Sequence, residues 1–112
     1  MQYMFLIYTD PALTPNLGSG MNDAYTAFNR IVSEAGALRG GDALHPSNTA
    51  TSVRVRGDKV ETMDGPFAET KEALAGYYIL DCKDLDEALH YAALIPGAKL
   101  GTVEVRPIYK FN

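Results

Sequence analysis

Apolar and polar positions alternate along the chain with two periods, one typical of strands and one typical of helices. Residues 3–9 (YMFLIYT) are apolar on both alternating faces, which predicts a strand buried on both sides. Residues 10–20 collect prolines and glycines in a polar stretch, which predicts a loop and a candidate lid. Residues 21–35 carry apolar side chains at three- and four-residue steps, so we expect a helix there that Gly36 closes.

The middle of the chain returns to the strand period. Residues 37–44 form a short predicted strand, in which Gly40 and Gly41 indicate a bulge or a close backbone approach. Residues 51–56 and 59–63 alternate apolar with polar around a Gly-Asp turn. This pattern predicts a hairpin with one solvated face.

The last part of the chain repeats the strand and helix patterns. Residues 75–82 predict a strand, Asp84 caps a helix that Pro96 stops, and residues 102–109 predict the final strand. Without the hairpin, the order is strand, helix, strand, strand, helix, strand. We therefore expect one α+β domain over residues 1–112: a ferredoxin-like βαββαβ antiparallel sheet with both helices on one face and an inserted hairpin.

The predicted strands are apolar on both sides, although the helices can cover only one face of the sheet. On the first strand, one row holds Tyr3, Phe5 and Ile7, and the opposite row holds Met4, Leu6 and Tyr8. A large exposed apolar face usually marks an interface. We therefore expect a homodimer that stacks two sheets face to face around a two-fold axis.

Composition narrows the classes of function. The net charge of −4 argues against nucleic-acid binding, which needs a basic surface. No segment approaches the ~20 apolar residues of a membrane-spanning helix, and the N-terminal segment lacks the features of a signal peptide. The single cysteine, Cys82, excludes an intramolecular disulfide and fits a reducing cytoplasm. The two histidines lack metal-binding spacing, so we expect no metal and no cofactor, and any ligand should be small.

The final strand carries the first candidate chemistry. Alternation puts Glu104 and Arg106 on the row that looks toward the proposed dimer cleft. These charges should pair with each other, with Arg54 or Arg56, or with an anionic ligand, because charges in a cleft are costly without partners. The alternatives are a structural ion pair and a substrate-binding arginine.

Other candidate side chains could move protons or donate hydrogen bonds. His45 follows Asp42 closely, and a histidine with an acid is the minimal equipment for proton transfer near neutral pH. The alternative is a solvated histidine in a turn. Tyr8, Tyr77 and Tyr78 could present hydroxyl groups to the cleft, or they could simply pack.

The segment DGPFAETKE at 64–72 predicts a tight turn at the end of the hairpin. In one interpretation Asp64 caps the turn, and the acids and Lys71 after it form a short solvated helical segment. In the other, the turn aims Asp64 into the cleft as an acid–base group with Lys71 as its charge partner. The sequence leaves both interpretations open.

Several motifs in order carry a resemblance to a known family. They are DGPFAETKE at 64–72, GYY at 76–78, DEA at 86–88, IP at 95–96 and VEVRP at 103–107. On these motifs the chain resembles the DGPF branch of the YCII-related family. The resemblance implies a dimeric α/β barrel and a His–Asp site in a cleft. It also implies either chemistry on aromatic-derived lactones, including dehalogenation, or a regulatory role beside extracytoplasmic-function sigma factors.

Two functions remain open from the sequence. The first is a cofactor-free enzyme that performs lyase- or dehalogenase-like acid–base chemistry on a small anionic substrate. In it Asp64, or His45 with Asp42, is the base and Arg106 holds the anion. The second is a non-catalytic dimer that binds a small molecule or docks to a regulatory protein. A purely structural dimer is a third alternative.

Overall fold

The computed structural model of the chain describes residues 1–12 and 19–111, and the side chains of α1 from residue 23 onward. The elements in this part of the chain are β1 (Gln2–Thr9), α1 (Ser19–Glu34), β2 (Leu38–Ala43), β3 (Thr51–Arg56), β4 (Lys59–Asp64), β5 (Ala73–Asp81), α2 (Leu85–Leu94) and β6 (Gly101–Pro107). The predicted lid at 10–20 falls mainly on residues 13–18, which lie outside the described residues.

The main sheet has the strand order β2-β5-β1-β6, and every neighbouring pair is antiparallel. This order confirms the predicted ferredoxin-like βαββαβ fold, because each helix connects two parallel strands that have another strand between them. The observed ends of the elements differ from the expected ones by two residues or fewer.

Both helices cover the same face of the sheet, as expected. On β1 the side chains of Tyr3, Phe5 and Ile7 are buried against the helices. The other members of this core are Phe28, Val32, Leu80, Cys82, Ala88, Ala92 and Ile95, with Val103 and Val105 of β6 packed against it. The valine row of β6 therefore faces the helices, and within residues 1–12 and 19–111 no helix lies over the opposite face of the sheet.

Helix ends follow the sequence signals. Gly36 has φ +72°, its N–H donates to the Ser33 carbonyl at 3.0 Å, and the Ala37 N–H donates to the Val32 carbonyl at 2.9 Å. These two bonds form the αL termination that only glycine adopts without strain. At the start of α2, Asp84 accepts a 2.9 Å hydrogen bond from the backbone N–H of Glu87, as the cap pattern predicts.

Strands β3 and β4 form a separate two-stranded sheet that shares no ladder with the main sheet. Gly57 starts its two-residue turn with φ +62°, as a type II′ turn requires. The predicted turn after β4 is present, with Gly65 at φ +91°. The short helical segment expected after it is wrong, because residues 66–72 have an irregular backbone in which the Thr70 hydroxyl bonds the Glu72 carbonyl.

Neither helix in the described part of the chain is long and apolar enough to cross a membrane.

Candidate functional site

A groove of about 840 Å³ separates α1 from the helix-facing side of β2 and β5. The strand residues that face α1 across the groove are Gly41, Ala43 and Gly76, and Ala43 lies opposite Gly76 in the register. Because none of the three carries a large side chain, nothing fills the space between helix and strands. The groove is thus a direct consequence of small residues on one face of the sheet edge.

Two glycines of the groove are also held by close packing. A Cβ atom on Gly41 would lie 2.8 Å from Cδ1 of Tyr78 and 2.9 Å from the Tyr77 carbonyl oxygen. A Cβ on Gly97 would lie 2.8 Å from the Tyr25 hydroxyl and 2.9 Å from Cγ2 of Ile7. The close backbone approach predicted at Gly41 is confirmed, and the pairing of β2 with β5 is also irregular just before it.

Two tyrosines place hydroxyl groups in the groove, one on α1 and one on β5. The Tyr25 hydroxyl accepts a 3.2 Å hydrogen bond from the Gly97 N–H. The Tyr78 hydroxyl donates to Oδ1 of Asn29 at 2.5 Å, and its ring packs edge-on against Phe28 with 5.1 Å between ring centroids. Both phenols are therefore oriented by contacts at their polar and apolar ends.

Both phenols are protonated at neutral pH, and burial moves their ionisation further into the alkaline range. It raises the pKa of Tyr78 to about 12, with a smaller contribution from nearby Tyr25. Burial also raises the pKa of Tyr25, and the Gly97 N–H partly opposes this. At neutral pH the two groups are hydrogen-bond donors and acceptors rather than bases.

The polar groups around the groove are rich in donors. The oxygen of Tyr25 is occupied by the Gly97 N–H, so its proton is available to a ligand. The oxygen of Asn29 is occupied by Tyr78, which leaves the Asn29 amide N–H groups to donate elsewhere. The guanidinium of Arg30 stands at the exposed rim. This set of groups fits a molecule with an apolar body and an acceptor oxygen.

Comparison with known proteins identifies the family. The YCII-related domain matches residues 1–112, the whole chain. The chain belongs to the YCII-related family. An uncharacterised protein of Rhizobium meliloti (strain 1021) is 38% identical over 114 residues, covering 96% of this chain and 92% of that relative. The family resemblance drawn from the motifs is confirmed, and the narrower DGPF branch stays a prediction.

The helix-free face of this YCII-related protein holds five of the predicted site residues, which are Tyr8, Asp42, Tyr77, Glu104 and Arg106. Tyr8, Glu104 and Arg106 lie on one face of β1 and β6, and the Tyr8 hydroxyl donates to Oε1 of Glu104 at 3.5 Å. The expected pairing of Arg54 with this row is absent, because Arg54 binds Glu61 of its own hairpin at 2.8 Å.

Asp42 forms a hydrogen bond with Tyr77, and not with His45, which is closer in sequence. The Tyr77 hydroxyl donates to Oδ2 of Asp42 at 2.7 Å, across a register pair of β2 and β5. This hydrogen bond and the Asp42 charge raise the pKa of Tyr77. His45 is exposed in the loop after β2, and within the described residues no hydrogen bond joins it to Asp42.

Asp64 and Lys71 are both exposed to solvent in this YCII-related protein. Asp64 ends β4 opposite Thr51, in the hairpin that stands apart from the main sheet. Lys71 lies in the irregular segment before β5. Among the residues that the structure describes, no ion pair joins these two side chains.

Sequence reasoning missed Tyr25 and Asn29 as members of a site, because Tyr25 fitted the apolar stripe of a helix. Tyr78 was expected either to pack or to present its hydroxyl to the dimer cleft, and the structure places that hydroxyl in the groove beneath α1. The available signal was Gly41 together with Gly76, since glycines facing a helix leave an unfilled space. In the described part of the chain, no cluster of three or more His, Cys, Asp or Glu side chains is placed to hold a metal ion.

Proposed function

We propose that this YCII-related protein binds a small molecule with an apolar body and an anionic or carbonyl oxygen in the groove beneath α1. The observation that carries the proposal is a groove whose inner donors are the Tyr25 hydroxyl and the Asn29 amide, each oriented by a hydrogen bond, from Gly97 and from Tyr78 respectively. Ligand pockets of roughly 300–1,000 Å³ with apolar walls and a few oriented polar groups are typical small-molecule sites.

The rim carries charges of both signs, so the preference for an anion rests on the donors inside the groove. Arg30 offers a guanidinium that can hold an acidic oxygen in two hydrogen bonds. Two carboxylates, Glu34 and Asp42, also stand at the rim, but the Asp42 oxygen already accepts from Tyr77. The inner donors then decide the polarity of the bound group, and of these Tyr25 is half-buried while Asn29 is exposed.

Titration calorimetry with benzoate, and with benzylamine as a probe of similar shape and opposite charge, tests the proposal. Benzoate should bind, and Ser33→Phe should weaken it by about tenfold or more, because residue 33 lines the groove. Ala27→Phe is the matched control on an exposed position of α1 outside the groove. Preference for benzylamine, or equal binding by both phenylalanine variants, would contradict this assignment.

We also propose that the protein is a homodimer through the helix-free face of its sheet. The chain exposes 7967 Å². A folded monomer of 12.2 kDa is expected to expose about 6,100 Å², so roughly 1,900 Å² is in excess. Burial of that excess by both subunits would give about 3,800 Å², within the range of obligate homodimers.

The dimer is tested by placing a charge on this face. Leu6→Asp should convert the dimer to a monomer in sedimentation experiments, because Leu6 is in the half-buried apolar row of β1. Leu89→Asp is the control, since Leu89 is 50% exposed on α2, on the opposite side of the sheet. A stable monomer of the unmodified protein at micromolar concentration would rule the dimer out.

Acid–base catalysis is a second proposal, supported by the 2.7 Å bond between Tyr77 and Asp42 at the rim of the groove. In this scheme Asp42 is the base, with Asp64 and His45 as the other candidate bases. Arg106, which the sequence suggested as the anion-binding residue, lies on β6 at the far edge of the sheet from β2, so it would serve only a ligand on the helix-free face. Proton transfer by a positioned group contributes about 10² to 10⁴ in rate. Turnover of an aromatic-derived lactone that survives Asp42→Asn, Asp64→Asn and His45→Ala would exclude all three.

We place the protein in a reducing cytoplasm, because its one cysteine, Cys82, is a buried free thiol. A binding dimer there would also suit a regulatory role beside a sigma factor, as the family resemblance implies.

A further inference from the structure

The β3–β4 hairpin has an apolar face that nothing else in the described part of the chain covers. The register places Val55 opposite Val60, and Val53 opposite Thr62, so these four side chains share one face, here named the valine face. Val53, Val55 and Val60 are 67%, 57% and 68% exposed. Three β-branched apolar side chains thus face solvent side by side.

The other face of the hairpin is polar. Arg54 lies opposite Glu61 and binds it at 2.8 Å, and Arg56 lies opposite Lys59. The hairpin therefore has one charged face and one apolar face, which is the pattern of a sheet that packs on one side only. The alternation in the sequence specifies a covered face, and the protomer provides no cover for it.

The hairpin is attached near its base, so the uncovered valine face bears on its stability. Near its base the Gly65 N–H donates to the Ala50 carbonyl at 2.6 Å, and the Ser52 hydroxyl donates to the Gly65 carbonyl at 2.9 Å. Beyond this base, β3 and β4 share no ladder with the main sheet. An isolated two-stranded hairpin is marginally stable in water, so further packing is needed to hold it.

The size of the exposed surface points to a second copy of the chain as the cover. The excess of roughly 1,900 Å² per chain is the amount that an obligate homodimer removes from each subunit. The radius of gyration is 15.8 Å, against about 13 Å for a compact domain of this length, which fits an arm that extends away from the body. A two-fold axis would cover the same patch on both subunits at once.

We propose that the β3–β4 hairpin is a dimerisation arm that packs its valine face against a second copy of this chain. The inference rests on the proposed homodimer and extends its interface beyond the main sheet. The charged face, with Arg54 and Glu61, stays in solvent at the outside of the dimer.

A charge placed on the valine face should separate the subunits. Val53→Lys combined with Val60→Lys should raise the dimer Kd by about 100-fold or more, at about tenfold for each lysine in an apolar contact. Met63→Lys is the matched control, because Met63 is 50% exposed and lies on the charged face opposite Ser52. It should leave Kd within about threefold of the unmodified protein. Sedimentation over a dilution series measures all three proteins.

Each outcome bears on a different part of the proposal. A dimer that survives the double lysine variant overturns the arm and leaves the sheet-face dimer standing. An unmodified protein that is monomeric at every concentration overturns both, and its valine face then belongs to a different partner. Equal weakening by Met63→Lys shows an effect of charge alone and also overturns the arm.

Amide hydrogen exchange on the unmodified protein tests the proposal without any variant, so its result does not depend on whether the lysine variants fold. Protection of residues 51–64 should rise as the concentration passes through the dimer Kd, while the amides of α2 should be unaffected. Hairpin amides whose exchange is independent of concentration would refute the proposal without any substitution.

Discussion

The phenol of Tyr78 should make the stability of the protein depend on pH in the alkaline range. Its pKa is about 12 in the folded chain, against an ordinary value of 10.0 that it regains on unfolding. A group whose pKa is raised by folding contributes its full stability below the unfolded pKa and loses it as pH rises through the folded pKa. The affected window is therefore pH 10 to 12.

The structure sets the size of this effect. The interval from 10 to 12 corresponds to about 2.7 kcal/mol at about 1.36 kcal/mol for each pH unit. Tyr78 is only half-buried, so screening by solvent reduces this to roughly 1 kcal/mol. For a chain of 112 residues that free energy is equivalent to about 4 °C in Tm.

Urea unfolding of the unmodified protein and of Tyr78→Phe between pH 8 and 11.5 measures the contribution. At neutral pH the variant should lose about 1 kcal/mol, because the hydrogen bond to Asn29 is removed. Above pH 10 the difference between the two proteins should shrink as Tyr78 ionises in the unfolded chain. Tyr109→Phe serves as the control, since Tyr109 is 78% exposed.

Two results would refute the reasoning. One is a free-energy difference between the proteins that stays constant from pH 8 to 11.5. The other is ultraviolet titration showing that Tyr78→Phe removes a phenol ionising at or below pH 10. In the second case burial would not raise the pKa of Tyr78, and the expected loss of stability between pH 10 and 12 would have no cause.

Three further predictions concern stability. Gly97→Ala should lower the free energy of unfolding by about 1–3 kcal/mol, because the new Cβ would lie 2.9 Å from Cγ2 of the buried Ile7. An unchanged midpoint of chemical unfolding would contradict this, because it would show that the residues around Gly97 move apart at no cost. Asp84→Ala should lower the free energy of unfolding by about 1 kcal/mol, because the N-cap hydrogen bond to the Glu87 N–H is lost. Asp84→Asn should keep most of that stability, since asparagine is also a good N-cap residue. An equal loss of stability in both variants would show that capping is not the cause. A hydrogen bond from the chain's amino group, together with its charge, lowers the pKa of Asp81. Stability should therefore fall as pH drops through this lowered pKa in acid, and Asp81→Asn should flatten that part of the curve; an acid limb that is equally steep in the variant would contradict this assignment.

Much of the fold could be predicted because its signals are local. The sequence predicted where α1 stops, because its apolar stripe is followed by a glycine at position 36. In the structure Gly36 does end the helix, in the αL conformation. The alternation in β6 separated the valines from Glu104 and Arg106, and the valines do face the helices. The signal at Gly41 was correct but incomplete, since it indicated a close approach without indicating the groove beside it.

The candidate site could be predicted only in part, because its members come from distant parts of the chain. Tyr78 and Asn29 are 49 residues apart in sequence and meet through their side chains. Tyr77 and Asp42 are 35 residues apart and meet because β5 lies beside β2. No periodicity within either segment contains that information, and His45 was the closer candidate partner for Asp42 in sequence alone.

The sequence by itself determined the periods, the turns and caps, the ferredoxin-like order of elements and the family. These depend on short-range preferences of the backbone and on which residues share a face. The tertiary structure alone decided that small residues on β2 and β5 lie beneath α1 and leave a groove, and that the hairpin stands apart from the main sheet. Such features depend on strand order, register and the volume left between packed elements, which are set only when the whole chain is assembled.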